Sequence, residues 1–87
     1  MNTQILGGWS PYSTTISQEE ADLFNKVKPI GVQYTPLAVS TQVVEGKKYL
    51  FFCNAQAVYP RTSNDAVIME IDHPVKGEPH IVSITKT

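Results

Sequence analysis

A single cysteine, Cys53, stands in a chain of 87 residues, and that count limits the available folds more than any other feature. By the usual area scalings a chain of this length goes from roughly 14,000 Å² exposed when unfolded to about 5,000 Å² when folded, which is a thin core. Small secreted domains often reinforce such a core with disulfides, and one cysteine cannot form an internal bridge. Packing alone must hold the fold, in one domain covering residues 1–87. Hydrophobic residues at 41% against 17% charged residues make that feasible and exclude the weakly hydrophobic, highly charged class of disordered chains. Seven basic and eight acidic residues give a net charge of −1, so no field draws the chain to nucleic acid or to an anionic membrane. The opening Met1 to Gly8 lacks the basic start and long apolar middle of a signal peptide, and a cytoplasmic location is expected. Deep catalytic pockets occupy roughly 300–1,000 Å³, for which a thin core leaves little room. Binding through surface loops is the better expectation.

Residues 1–15 carry Gly7, Gly8, Pro11 and the polar group Ser13-Thr14-Thr15, and read as an irregular, adaptable arm. From Ser17 the signals change. Ser17 followed by Glu20 fits a capping box, and Glu19, Glu20 and Asp22 near the start with Lys26 and Lys28 near the end match the helix macrodipole. Ala21, Phe24 and Val27, flanked by Leu23, give an apolar stripe of helical period. Pro29 disfavours helical geometry at Lys28, so the helix is expected to run about 12 residues and to be marginal alone.

The rest reads as strand. Val39, Thr41 and Val43 alternate with polar residues, Val44 to Lys47 turns the chain, and Tyr49, Phe51, Cys53, Ala55 and Ala57 line one face of a second strand. A second hairpin follows, with a run from Asp65 to Asp72, the turn-rich stretch His73 to His80, and a last strand from Ile81 to Thr85. Tyr59 to Asn64 reads as a polar connection between the hairpins. The expected fold is α+β: a single helix packed across a twisted four-stranded antiparallel sheet. Leu50 and Phe52 then fall on the face away from the helix, as a small apolar patch suited either to ordinary surface or to a dimer contact.

In this topology three features can lie along one end of the sheet: the glycine pair, the loop Gln42-Val43-Val44-Glu45-Gly46, and the proline-bearing loop from His73 to Pro79. With the helix segment Asp22-Leu23-Phe24-Asn25-Lys26-Val27-Lys28-Pro29 and the following Lys47-Lys48-Tyr49, they give the chain its resemblance to the cystatins, and more closely to their short, disulfide-free stefin branch. That resemblance implies a cystatin-like sheet wrapped on one helix. It also implies reversible inhibition of papain-like, cathepsin-type cysteine peptidases by occlusion of the active-site cleft. Carried over by position, Gly7 or Gly8 is the hinge of the arm, and Ile5 and Leu6 occupy the enzyme's apolar subsites. Gln42, Val43, Val44, Glu45 and Gly46 form the central wedge, and Pro74 and Val75 make the third contact. No cofactor or metal is implied.

Two departures bear on this expectation. The family's wedge usually carries a small residue where this chain has Glu45. An unpaired carboxylate taken out of water costs several kcal/mol, and about 1.4 kcal/mol is tenfold in affinity. Glu45 therefore either abolishes inhibition or redirects it to a cleft that offers a cation. The second loop has His73-Pro74-Val75 in place of the usual Leu-Pro or Pro-Trp pair. The competing reading is a non-inhibitory cystatin-fold interaction module that pairs through its sheet or swaps its first hairpin, giving a homodimer. Catalysis by Cys53 with His73 or His80 is disfavoured by its place on an inward strand face, and His73, His80, Asp72 and Glu78 lack a metal-binding spacing. Trp9 is expected to tuck against the sheet.

Overall fold

The computed structural model describes residues 8–57 and 64–87. The connection expected from Tyr59 lies outside these residues except for its end at Asn64. Helix α1 (Gln18–Val27) precedes strands β1 (Val32–Val44), β2 (Gly46–Ala57), β3 (Asp65–His73) and β4 (His80–Lys86). The strands form one antiparallel sheet in the order β1-β2-β3-β4. One helix on a four-stranded antiparallel sheet is the α+β arrangement expected, and it is consistent with a cystatin-like fold.

The helix starts where its chemistry requires. Ser17 Oγ accepts from the Glu20 backbone N–H at 3.1 Å, and a Glu20 carboxylate oxygen accepts from the Ser17 N–H at 2.9 Å. Two backbone donors that the first turn leaves unpaired are satisfied together. At the other end Lys28 turns extended ahead of Pro29 while its N–H donates to the Phe24 carbonyl. This fixes the helix at 10 residues, shorter than the 12 expected. Ser17→Ala should cost about 1 kcal/mol, a fall of about 4–8 °C in melting temperature for a domain this small. An unchanged thermal melt would mean that the cap contributes nothing.

Register explains the core. Val39 pairs with Phe51 and Phe51 with Met69, setting three side chains in one row under the helix. Tyr49 and Ile71, then Cys53 and Val67, make the flanking rows, and all of these residues are buried. Phe24 closes the cluster from the helix, with its ring centroid 4.9 Å from that of Phe51 and the planes tilted by 59°, a favourable aromatic geometry. Alternation places Leu50 and Phe52 on the opposite face, where both are half-buried.

Two features differ from expectation. Strand β1 begins at Val32 rather than near Val39, and a register irregularity between Pro36 and Ala38 absorbs Leu37. The proline is tolerated because β1 lies at the sheet edge, where a missing N–H removes no ladder bond to a further strand. The arm, expected to be adaptable, is paired to β1 from Trp9 to Ser13. Trp9 bridges Gln42, and Ser13 and Val39 exchange both backbone hydrogen bonds at 2.9 Å. Ser10 adds three contacts: its N–H donates to the Thr41 carbonyl, its Oγ accepts from the Thr41 N–H, and its carbonyl accepts from Ser40 Oγ. These bonds satisfy outward backbone groups of β1 that would otherwise face solvent. Among the described residues no helix is long and apolar enough to cross a membrane.

Candidate functional site

The hairpin joining β1 to β2 is as tight as its register allows. Val44 pairs with Gly46, leaving Glu45 alone at the apex. Gly46 has φ +92°, a left-handed conformation that an L side chain adopts only under strain. Glycine is also required here for space. A Cβ on Gly46 would stand 2.6 Å from the His73 carbonyl oxygen, 2.9 Å from Pro74 Cα and 3.0 Å from Val75 N. All three are backbone atoms, so the first hairpin tip lies directly against the start of the loop between β3 and β4. Lys47 pairs with His73 just below. Glu45, Pro74, Val75 and Lys76 line a shallow, open recess of about 370 Å³ between the two tips.

On the other flank the arm arrives through the bridge from Trp9 to Gln42. Gly8, the 42–46 loop and the Pro74–Val75 turn therefore lie side by side at one end of the sheet. Ile5, Leu6 and Gly7 lie outside the described residues. Within the edge, Glu45 is exposed and its carboxylate has no hydrogen bond or ion pair among the described residues. Val43 is 37% exposed and Val75 73%, so the edge offers apolar side chains on both sides of Glu45, with Lys76 lining the same recess.

The loop is also tethered to the helix. Lys26 Nζ lies 2.9 Å from a Glu78 carboxylate oxygen, with both side chains largely in water. The hydrogen bond from Lys26, with its positive charge and that of His73, holds the Glu78 carboxyl below its ordinary range. A depressed carboxyl contributes stability above its unfolded pKa and loses it as the pH falls through the folded value. The contribution is small here because water screens so exposed a pair.

The stretch from Trp9 to Ser13 has no period from which to assign a face, so only the bridge to Gln42 places Trp9 at this edge. It lies against β1 as expected and is 40% exposed there. Cys53, by contrast, is fully buried and burial pushes its thiol up to about 11. At neutral pH almost none is thiolate, the form that reacts. A disulfide reagent such as Ellman's should leave the folded protein unlabelled at pH 8 and titrate one thiol after denaturation; fast labelling of the native protein would restore a reactive cysteine. Among the described residues no three His, Cys, Asp or Glu side chains gather as a metal site. Comparison with protein-family models, with curated proteins and with solved structures returned no match.

Proposed function

We propose that this chain is a cystatin-like, stefin-type reversible inhibitor of papain-like cysteine peptidases, occluding the active-site cleft with its N-terminal arm and two hairpin loops. The observation that supports this reading most is the packing of Gly46 against the backbone of His73 to Val75. It joins the two loops into one edge, with the arm alongside at Gln42. Such an edge blocks a cleft without being cut, because it presents a rigid hairpin apex and no extended peptide bond at the nucleophile. A standard interface covers about 800 Å² per partner, which three adjacent tips can supply. Glu45 sets the condition: it must meet a cation or remain in water, since an unpaired buried carboxylate would cancel much of the affinity.

The test is titration of active papain with the wild-type protein and with Glu45→Ala. Stoichiometric, reversible inhibition by either supports the reading, and inhibition by Glu45→Ala alone assigns the block to that side chain. No inhibition by either protein at micromolar concentration sinks it.

The second reading, a non-inhibitory cystatin-fold module that dimerises through its sheet, is favoured by β4. This seven-residue strand is the open edge of the sheet, with Val82 50% and Ile84 38% exposed. Edges of this kind invite pairing with another chain. Sedimentation velocity from low to high micromolar concentration separates the two: a strictly monomeric species at every concentration removes the dimer.

A further inference from the structure

Three exposed apolar side chains lie along the binding edge, Trp9, Val43 and Val75, and the indole is by far the largest. Its position follows from register. Directly opposed residues in antiparallel pairing share a face. Trp9 therefore heads a row that continues through Gln42, Lys48, Asp72 and His80 across all four strands. The buried row beside it, Tyr49 and Ile71, points the other way toward the helix. Trp9 thus lies on the face away from the helix, at the end of a polar row, where it has no core to join. Its indole N–H has no acceptor among the described residues, and a tryptophan N–H usually finds a partner once buried.

The backbone beneath this side chain is fixed. Trp9 is bridged to Gln42, and the next residue, Ser10, is tied to β1 by three hydrogen bonds. A large aromatic held in place before the partner arrives loses little entropy on binding, and this distinguishes an anchor from a contact that must first be ordered. Tryptophan is also among the residues most enriched at the energetic centres of interfaces.

We propose that Trp9 is the fixed anchor of the arm, its indole filling an apolar recess beside the partner's cleft that also offers a hydrogen-bond acceptor to Nε1–H. This rests on the peptidase-inhibitor reading and changes its emphasis: the decisive arm contact lies after the glycine pair, on chain already docked to the sheet. It also gives the edge an aromatic that the His73-Pro74-Val75 turn lacks.

Trp9 is the only tryptophan, so biosynthetic 5-fluorotryptophan places a single ¹⁹F resonance at the proposed contact. The labelled protein, wild type or Glu45→Ala, is titrated with papain whose active-site thiol carries a methylthio block, while size-exclusion chromatography reports complex formation independently. In parallel, Trp9→Ala and Trp9→Phe are assayed against active papain and their thermal melts recorded. The expected result is a shifted resonance in the complex and inhibition weakened about 30-fold or more by Trp9→Ala, with Trp9→Phe recovering part of the loss. A complex that forms while the resonance stays put, or a Trp9→Ala protein that inhibits as well as its parent, overturns the anchor and leaves the inhibitor reading standing. No complex with either protein overturns both. If Trp9→Ala melts too low to assay, the ¹⁹F shift and Trp9→Phe still decide the matter.

Discussion

Gly46→Ala is expected to lower the melting temperature by about 12–24 °C, the equivalent of about 3 kcal/mol in a domain of this size. Two costs combine. An alanine at φ +92° carries backbone strain of roughly 1–2 kcal/mol, and its methyl group, 2.6 Å from the His73 carbonyl oxygen, forces a main-chain shift that adds about 1–3 kcal/mol. Gly31→Ala is the control. Its φ is +93°, nearly the same, but nothing lies within 4 Å of the added Cβ, so it suffers the strain alone, about 1 kcal/mol or about 4–8 °C. Parallel thermal melts separate the terms. Equal shifts for the two variants would show that the hairpin tip and the second loop do not press on each other. Because the clash falls between the two loops of the proposed binding edge, Gly46→Ala should also weaken any complex made through this edge beyond its effect on stability.

Phe24→Ala should cost about 3–5 kcal/mol, the usual range for emptying a large aromatic site in a core. Phe24 is fully buried on Phe51, and Leu23 and the partly buried Val27 are the helix's other apolar contacts with the core. A 10-residue helix is not stable by itself in water, so losing this contact removes the reason for it to form. Total stability for 87 residues is about 4–13 kcal/mol at typical values per residue. At the lower end of that range the loss is enough to unfold the variant at room temperature, and at the upper end it removes about a quarter or more of the stability. Urea unfolding should show a lower midpoint with an unchanged slope. A loss below about 1 kcal/mol would mean that other contacts hold the helix.

How far the sequence foretells this molecule depends on the range of the interactions involved. The helix was legible because its ends are local: Ser17 and Glu20 are hydrogen-bond partners within one turn, and Pro29 acts on its neighbour. Strand β2 was legible because Tyr49, Phe51, Cys53 and Ala55 take alternate positions; β3 was legible as a strand, but Ala66 and Ile68 beside Val67, Met69 and Ile71 left its inward face open, and only the pairing with β2 decides it. The first half of β1 was not legible, since Pro36 argues against a strand unless the strand is known to be an edge, and that is a property of the whole sheet. The docked part of the arm is hidden for the same reason: Gly7 and Gly8 speak for freedom in the residues before them, while the bonds that hold Ser10 and Ser13 come from β1. At the candidate site, glycine at position 46 announced a turn. That it also serves as a seat for Pro74 depends on β3 lying beside β2, which local pattern does not encode.

The pairing of the arm with β1 has a consequence for assembly. On that border of the sheet, Trp9 to Ser13 occupy the stretch from Val39 to Gln42, and Pro36 and the irregularity at Leu37 interrupt the remainder. Among the described residues nothing pairs with the outer edge of β4 on the other border. A sheet blocked on one side and open on the other can be extended only once, by a second molecule turned to face the first, because the joined sheet then shows two blocked sides. Growth through β4 alone therefore ends at a pair while the arm stays in place.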